Sequence, residues 1–318
     1  MELLKEAGHE IILSPDTKSE TVQPLMQGVQ AVILRTGIKM TRELMSRAND
    51  LWIISRTGAG VDNVDVPAAT ERGILVTCVP GANTRTVAEH ALALILALMK
   101  QIPLMDHAVR NDHFEIRFKN LPHDLSGKTL GLVGLGRIGS ELARICHTAF
   151  GLRILAHDPY LASETRLAVK SWVEFCEMER LFKESDIISL HIPLFSSTQK
   201  LIGARELGWM KPDAFLVNTS RGGVLDQIAL IQCLKEKKIA GAGLDVFAQE
   251  PLEKDNPLKQ LDNVILTPHT AALTRECVVR LAVEAVQATL DVFKGEKPEG
   301  IVNPEVLAQP RWQGMLSS

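Results

Sequence analysis

A glycine-rich turn between a strand and a helix constrains the fold of this chain most. Residues 134–139 read Gly-Leu-Gly-Arg-Ile-Gly, follow the apolar run Leu130–Val133 and precede a helical pattern, and Asp158 closes the next predicted strand. A Gly-x-Gly-x-x-Gly string alone is weak evidence. A strand before it, a helix after it and an acid about 20 residues further on make up the dinucleotide-binding pattern. We therefore predict a Rossmann domain.

The residues of this turn fit a nucleotide for separate physical reasons. Gly134 allows the tight turn, Gly136 lets the backbone approach a pyrophosphate, and Gly139 lets helix and strand pack closely. The helix N-terminus offers N–H groups to the phosphates. Asp158 is expected to bind the ribose hydroxyls and to repel a 2′-phosphate, which favours NAD over NADP. The alternative is a loop of glycines needed only for helix packing.

Composition and charge exclude several classes of protein. The chain is 46% apolar and 23% charged, as in an ordinary globular protein, and its net charge of −3 gives no reason to expect a nucleic acid or an anionic membrane as a partner. The N-terminus does not resemble a signal peptide, and the apolar run Ala91–Met99 is too short to span a bilayer. The five cysteines form no C-x-x-C pair, which favours a reducing compartment. We expect a cytoplasmic protein with no metal site.

The organisation of the chain predicts two α/β domains. Short strand-like runs alternate with helical patterns from end to end, as in doubly wound parallel sheets. Because many residues precede the glycine turn, we predict a Rossmann domain (residues 85–272) inserted into a flavodoxin-like substrate domain (residues 1–84 and 273–318). The cleft between two such domains is the expected place for a substrate.

The predicted elements follow from apolar runs and helical periodicity. The predicted strands are Glu10–Leu13, Ala31–Leu34, Leu51–Ser55, Ile74–Cys78, Leu130–Val133, Arg153–Ala156, Asp186–Leu190, Ala214–Asn218, Gly241–Val246 and Asn263–Thr267. The clearest predicted helices are Thr41–Ala48, Val66–Arg72, Val87–Lys100 and Thr274–Phe293.

Three polar strings stand at the carboxyl ends of predicted strands, where ligands bind in such sheets. Residues 218–223, 245–251 and 267–270 supply Arg221, Glu250 and His269. An arginine can clamp a carboxylate and polarise a keto oxygen, and a histidine can give a proton to the developing alkoxide. A carboxylate beside the histidine fixes its tautomer and favours its charged form. For each residue taken alone, an ordinary structural role is the alternative explanation. Together, the three residues fit hydride transfer to a 2-keto acid.

These motifs together resemble the D-isomer-specific 2-hydroxyacid dehydrogenases, among them D-3-phosphoglycerate dehydrogenases and hydroxypyruvate/glyoxylate reductases. The resemblance covers nearly the whole chain and rests on residues 56–65, 131–139 and 191–194 with the three strings above. It implies that Arg221, Glu250 and His269 are the catalytic residues. It also implies an NAD cofactor whose contacts include His269 and Arg137, Ile138, Asp158, Pro193, Thr198, Thr219 and Asp245.

The first domain is expected to supply substrate contacts. Glycines on both sides of Ala59 let successive N–H groups converge on an anion such as a carboxylate; the alternative is a loop that needs glycine only for turning. The resemblance implies that Gly58, Ala59 and Asn83 contact the carboxylate or the edge of the cofactor. It also implies that Arg35 and Arg56 reach an anionic tail of the substrate.

The first residues depart from the family pattern. The family's first domain opens with a strand, whereas this sequence starts at Met1 beside the helical segment Glu2–Ala7. In the 2-1-3-4-5 order of a flavodoxin-like sheet, the missing strand would lie between Glu10–Leu13 and Ala31–Leu34. Either the start lies upstream, or Glu10–Leu13 moves into the gap. We expect no regulatory module after Ser318 and therefore no feedback through one.

Two hypotheses from different classes compete. The first is an NAD-dependent oxidoreductase acting on a small D-2-hydroxy acid, with 3-phosphoglycerate, hydroxypyruvate, glyoxylate or sulfolactate as open alternatives for the substrate pair. The second is an NAD(H)-sensing binding protein similar to the C-terminal-binding-protein corepressors, which share this fold. We also expect a homodimer, because the apolar helix around Ala88–Met99 would otherwise expose too much surface.

Overall fold

The computed structural model describes residues 1–316 and divides the chain into two units. Unit 1 comprises Met1–Asn83 and Arg275–Ser318, and unit 2 is Thr84–Thr274. Unit 2 is thus one continuous insertion into unit 1. The domain boundaries predicted at 84/85 and 272/273 lie one and two residues from these positions.

The strands all run parallel to their neighbours in two sheets. Residues 1–316 contain β1 (Ala31–Leu34), β2 (Ile53–Arg56), β3 (Leu75–Thr77), β4 (Thr129–Val133), β5 (Arg153–His157), β6 (Val173–Phe175), β7 (Ile187–Leu190), β8 (Phe215–Asn218), β9 (Gly241–Leu244) and β10 (Val264–Leu266).

Helices connect most of these strands, as is usual in parallel sheets, whereas β9 and β10 are joined by a segment with the 3-10 turn Pro257–Gln260. The α-helices of the same residues are α1 (Glu2–Glu6), α2 (Ser19–Leu25), α3 (Arg42–Met45), α4 (Val66–Glu71), α5 (Thr84–Met99), α6 (Ile102–Arg110), α7 (Arg137–Phe150), α8 (Ser163–Val169), α9 (Met178–Glu184), α10 (Ala204–Leu207), α11 (Gln227–Lys235) and α12 (Arg275–Lys294).

Unit 2 has the strand order of a doubly wound sheet, β10-β9-β8-β7-β4-β5-β6. The chain proceeds outward from β4 on one side and from β7 on the other, so its direction reverses between these two strands. Apolar clusters cover both faces, which explains why β4, β7, β8 and β9 are buried along their whole length. The predicted Rossmann architecture is confirmed. Ligands of such sheets bind at the carboxyl ends beside the reversal.

Helix α5 buries its apolar side within unit 2. It packs on α7, β8 and β9, and Ala88, Ala91 and Ile95 are fully buried in the cluster that also holds Leu130 and Leu132 of β4. The reason given above for expecting a homodimer is therefore wrong for this helix, because the sheet of the same chain covers it.

Unit 1 contains a three-stranded sheet of order β1-β2-β3, against which α12 packs. The predicted strand Glu10–Leu13 is wrong, because this segment forms no strand and its Ile12 and Leu13 side chains are exposed. An apolar run becomes a strand only where a neighbour satisfies its backbone groups, and β1 pairs on one side only, with β2. The three strands present keep the spatial order of the last three in the predicted 2-1-3-4-5 sheet.

Two further sequence expectations concern membranes and cysteines. In residues 1–316 no single α-helix is long and apolar enough to cross a membrane, although α5 and α6, bent by 56° at their junction, meet the length and composition requirement together. The five cysteines form no disulfide bond within the described chain. Burial raises the pKa of the Cys146 thiol to about 12, so this cysteine is a packing residue in α7.

Candidate active site

The glycine turn of unit 2 combines two crowded positions with one open position. Gly134 has φ +91°, and a Cβ there would lie 2.5 Å from the carbonyl oxygen of His191; a Cβ at Gly139 would lie 2.4 Å from the carbonyl oxygen of Gly134. Packing therefore requires both glycines. A Cβ at Gly136, the N-cap of α7, would meet nothing within 4 Å. The turn leaves open space beside the N-terminus of a 14-residue helix.

Asp158 lies beside this turn, directly after β5. Its Oδ2 accepts a hydrogen bond of 2.8 Å from the Leu135 N–H, and its Oδ1 accepts one of 3.0 Å from the Tyr160 N–H. The carboxylate is thus fixed to the backbone of the turn rather than extended into solvent.

Every residue predicted to contact the cofactor follows a strand at the same edge of the unit 2 sheet. Arg137 and Ile138 open α7 after β4, and Pro193 and Thr198 lie in the loop after β7. The Thr198 hydroxyl closes that loop by donating to the Pro193 carbonyl over 2.7 Å and accepting the Phe195 N–H over 2.8 Å. These contacts assign Thr198 a local structural role, and its contact with a cofactor stays a prediction.

Thr219, directly after β8, differs from Thr198. Its Oγ1 is buried and has no hydrogen-bond partner. A buried hydroxyl without a partner is costly, so such an atom at a ligand-binding edge fits a polar group supplied by a ligand.

The loop that carries Arg221 touches the loop that carries Glu250. The Asn218 side-chain amide donates to the Arg221 carbonyl over 3.0 Å, and the Arg221 guanidinium donates to the Ser220 carbonyl over 2.7 Å. A Cβ at Gly222 would lie 1.9 Å from the main chain of Phe247, so only glycine fits there. The ends of β8 and β9 therefore hold Arg221 near the segment that leads to Glu250.

Glu250 and His269 form a hydrogen-bonded pair. The distance between His269 Nδ1 and Glu250 Oε2 is 2.7 Å, and the Phe247 N–H donates to Glu250 Oε1 over 3.0 Å. Burial opposes ionisation of Glu250, but these two hydrogen bonds and the nearby charges of His269 and Arg221 hold its pKa below the usual range. The carboxylate is therefore ionised at neutral pH, and its hydrogen bond to Nδ1 fixes the orientation of the His269 ring, so that Nε2 is the ring nitrogen that Glu250 leaves unoccupied.

Asp245 anchors the loop that carries His269. Its fully buried carboxylate accepts hydrogen bonds from the Thr267 hydroxyl at 2.6 Å and from the N–H groups of Thr270 and Ala271 at 2.8 Å each. The His269 N–H donates to the Asp245 carbonyl over 2.8 Å. Asp245 was predicted as a cofactor contact, and the structure places it beneath the His269 loop, defined here as residues 267–271.

The predicted substrate residues all lie in unit 1. Arg35 follows β1 and is exposed, whereas Arg56 ends β2 and is buried. The Arg56 guanidinium donates to Asn63 Oδ1 over 3.1 Å and to the Thr57 carbonyl over 2.8 Å. Arg56 thus takes part in holding its own loop, and its role toward a substrate stays a prediction.

The remaining substrate candidates have separate surroundings within unit 1. Gly58 has φ +153°, a conformation that favours glycine, and Ala59 beside it is exposed. Asn83 carries a buried Oδ1 atom that has no hydrogen-bond partner.

Comparison with known proteins decides the family. The family description "D-isomer specific 2-hydroxyacid dehydrogenase, NAD binding domain" matches residues 92–271, more than half of the chain. The chain belongs to the D-isomer specific 2-hydroxyacid dehydrogenase family. The resemblance stated from the sequence is thereby confirmed, and unit 2 contains the NAD-binding domain of this family.

Relatives in this family carry different enzyme names. A D-3-phosphoglycerate dehydrogenase of Methanocaldococcus jannaschii is 39% identical over 313 residues, which is 98% of this chain and 58% of the relative. A glyoxylate reductase of Thermococcus litoralis is 41% identical over 312 residues, 95% and 93% of the two chains. The chain thus spans about half the length of the phosphoglycerate dehydrogenases that it matches.

Solved structures agree on the fold. A D-lactate dehydrogenase from Aquifex aeolicus, complexed with NAD and lactic acid, has a TM-score of 0.82 and 31% identity over 92% of each chain. An acyclic imino acid reductase in complex with NADPH and D-Arg has a TM-score of 0.84 and 28% identity over 95% and 94%. One of these neighbours was therefore solved with NAD and the other with NADPH.

The residues of this dehydrogenase-family chain fit a dinucleotide. The open space at Gly136 suits a pyrophosphate at a helix N-terminus, and the unpartnered Thr219 hydroxyl suits a polar group of the cofactor. Asp158 supplies the carboxylate that the family pattern places at the ribose.

The open and crowded glycines of this NAD-binding turn should respond differently to substitution. Gly136→Val is expected to weaken NADH binding by at least about tenfold at unchanged Tm, because the side chain enters only open space. Gly139→Ala is expected to lower stability by about 1–3 kcal/mol or more through its clash with Gly134. NADH fluorescence titration and thermal denaturation measure the two effects. Equal NADH affinity in Gly136→Val and the wild type would contradict the proposed pyrophosphate position.

The sequence patterns missed two histidines of unit 2 in structural roles. His90 is hidden within the apolar pattern of α5, and its Nε2 lies 3.0 Å from Thr267 Oγ1. His191 belongs to a string that supported the family resemblance, but no role was predicted for its ring. The ring bonds to Ser189, and burial lowers its pKa to about 4, so it is neutral at physiological pH.

Proposed function

We propose that this protein is an NAD-dependent oxidoreductase that interconverts a small D-2-hydroxy acid and its 2-keto acid. The observation that carries the proposal is the 2.7 Å pair of Glu250 and His269 beside the Arg221 loop, at the nucleotide-binding edge of an NAD-binding sheet. Relatives named dehydrogenases and reductases support the same class, and none of those named above supports the corepressor alternative.

The proposed catalytic residues have complementary roles. The cofactor supplies hydride transfer to or from C2 of the substrate. Arg221 binds the substrate carboxylate and polarises the carbonyl oxygen, for which its planar fork of donors is suited. In reduction, His269 gives the Nε2 proton to that oxygen, and in oxidation it takes the proton back. Glu250 holds Nδ1, which fixes the orientation of the ring and keeps Nε2 as the reacting nitrogen.

The substrate class follows from family names and from the arginines of unit 1. Relatives of similar identity are named D-3-phosphoglycerate dehydrogenase and glyoxylate reductase, so the family alone does not select one substrate. We propose a substrate with an anionic tail, with Arg35 and Arg56 as its charged contacts and Gly58, Ala59 and Asn83 near the carboxylate. Exposed Arg35 at the carboxyl end of β1 is the observation that favours this choice over glyoxylate.

A panel of keto acids tests this function. NADH oxidation is followed with hydroxypyruvate, glyoxylate, 3-phosphohydroxypyruvate and 3-sulfopyruvate. Saturable turnover of a keto acid is expected, with the phosphorylated or sulfonated compound preferred. If protein that binds NADH turned over none of them, the enzymatic proposal would be wrong and the NAD(H)-sensing alternative would gain support. A preference for glyoxylate would overturn only the anionic tail.

The fixed carboxylate of Asp158 is proposed to set the preference for NAD over NADP. Asp158→Asn keeps an oxygen that can accept the Leu135 N–H but removes the charge that repels a 2′-phosphate. The ratio of kcat/KM for NADPH to that for NADH is expected to rise at least about tenfold, because the removed repulsion between two like charges at close range amounts to more than about 1 kcal/mol. Steady-state kinetics with both cofactors measure it. An unchanged ratio with unchanged Tm would refute this role of Asp158.

We also propose a homodimer, supported by a surface other than the one first predicted. The segment from α6 to residue 121 exposes Ile102, Val109, Phe114, Phe118 and Leu121, each by more than half of its surface. Apolar residues concentrated in one exposed segment are typical of an interface. Sedimentation analysis is expected to give twice the 35.0 kDa of the chain. A monomer would refute the proposal.

A further inference from the structure

We propose that His90 is a positioning residue for His269, acting through Thr267 and Asp245. This inference rests on the proposed function, because it takes His269 to be the proton donor. His90 lies on α5, far in sequence from the His269 loop, and is not among the residues predicted from the family pattern.

The His269 loop has a conformation that needs support. His269 has φ 53°, in the left-handed region that is uncommon for residues other than glycine. Such a backbone conformation is unfavourable in free energy by itself, and it persists where surrounding contacts hold it in place. The hydrogen bonds of the loop to Asp245 provide those contacts, and the Thr267 hydroxyl makes the shortest of them.

The donors and acceptors among His90, Thr267 and Asp245 can be assigned from their hydrogen bonds. The Thr267 hydroxyl has a single proton, which it donates to Asp245 Oδ1 over 2.6 Å. The 3.0 Å contact between His90 Nε2 and Thr267 Oγ1 is therefore donated by His90. The same nitrogen lies 3.6 Å from Asp245 Oδ1. His90 thus directs its Nε2 N–H at Thr267 and lies beside Asp245, and these two residues are called the anchor below. The hydrogen bond from His90 fixes the rotation of the Thr267 hydroxyl.

The position of His90 on α5 makes it a rigid support. Its neighbours Ala91, Leu94 and Ile95 are buried against the sheet of unit 2, whereas the His90 ring is only partly exposed and faces the anchor. A donor held by a packed helix restricts the loop more than a donor on another loop would. The chain from His90 to Thr267 to Asp245 therefore connects the core of unit 2 to the backbone of His269.

Loss of this donor should displace the catalytic nitrogen without removing it. Small displacements of a reacting group cost large factors, up to about 10²-fold for 1 Å. His90→Leu is expected to lower kcat for the keto acid at least about tenfold, while the KM for NADH stays within about twofold. His90→Gln places an amide donor near the position of Nε2 and is expected to restore most of kcat.

Companion variants separate the link from general destabilisation. Thr267→Val should reproduce His90→Leu, and the double variant should be no slower than either single variant, because both changes break the same link. His147→Leu is the control, since His147 is also a histidine on a helix of unit 2 with a ring hydrogen bond to a neighbouring element, the Leu152 carbonyl, although its side chain is exposed. This control is expected to keep wild-type kcat.

Amide hydrogen exchange tests the link without relying on activity. The N–H groups of His269, Thr270 and Ala271, which all bond to Asp245, should exchange at least about tenfold faster in His90→Leu and Thr267→Val than in the wild type or His147→Leu. Unchanged exchange in His90→Leu overturns the inference whatever the activity. A wild type that reduces no keto acid, together with faster exchange in the variant, overturns the proposed function but leaves the anchor in place. Unchanged kcat in His90→Leu of an active protein overturns the positioning role.

Discussion

His269→Ala is expected to lower kcat for keto-acid reduction by about 10²- to 10⁴-fold, the usual contribution of a general acid. NADH affinity should fall far less than kcat, because His269 is only one of the expected cofactor contacts and the hydrogen bonds that fix Asp158 to the glycine turn do not involve its ring. Stopped-flow reduction rates and NADH titration measure the two quantities. An equal collapse of NADH affinity would show that His269 binds cofactor rather than moving a proton.

The pH profile provides the control for this first prediction. Reduction consumes the proton that His269 delivers, so wild-type kcat for the keto acid should fall as pH rises, whereas kcat for oxidation of the hydroxy acid should rise. His191 does not produce the alkaline decline, since its pKa of about 4 keeps it neutral at neutral and alkaline pH. At acid pH, protonation of Glu250 weakens its hydrogen bond to His269 and should lower kcat. Because the pKa of Glu250 is lowered, this loss should occur at a lower pH than for an ordinary glutamate. The residual activity of His269→Ala should lack the alkaline decline.

Arg221→Ala is expected to lower kcat/KM for the keto acid by about 10²-fold or more, since loss of one partner of a buried charged pair costs about 2–5 kcal/mol. Arg221→Lys should recover only a small part, because an ammonium group offers no planar fork to the carboxylate. The loop itself should persist, as Asn218 bonds the backbone of residue 221 rather than its side chain.

The Arg221 variants are compared at saturating NADH, so that only the keto-acid step varies. Gly222 must stay unchanged in both, because no side chain fits against Phe247. A kcat/KM within about threefold of the wild type in Arg221→Ala would exclude the proposed clamp, since a charged hydrogen bond alone is worth more.

The sequence could predict the sheet of unit 2 because its strands are buried on both faces. Apolar runs such as Leu130–Val133 and Ala214–Asn218 lie within one residue of β4 and β8. The short strand β6 was not predicted from the sequence, because its three residues, with Glu174 in the middle, contain no apolar run. Glu10–Leu13 failed for the opposite reason, since an apolar run was present and a pairing partner was not.

The candidate site could be predicted as far as strand ends bring residues together. The rule that ligands bind at carboxyl ends placed Arg221, Glu250 and His269 on one edge, and the structure pairs the last two directly. The anchor beneath them could not be predicted, because His90 follows the helical pattern of α5 like any polar position. Hydrogen bonds between elements distant in sequence leave no local pattern.

The most direct test of the central claim follows the hydride and the configuration of the product. The wild-type protein is given NADH deuterated at the transferring position of the nicotinamide, with the keto acid that the panel shows to be reduced best. The account predicts a D-2-hydroxy acid that carries deuterium at C2, and loss of this product in His269→Ala at unchanged NADH binding. Protein that binds NADH and yields no deuterated acid from any keto acid, or yields the L-isomer, would contradict the account.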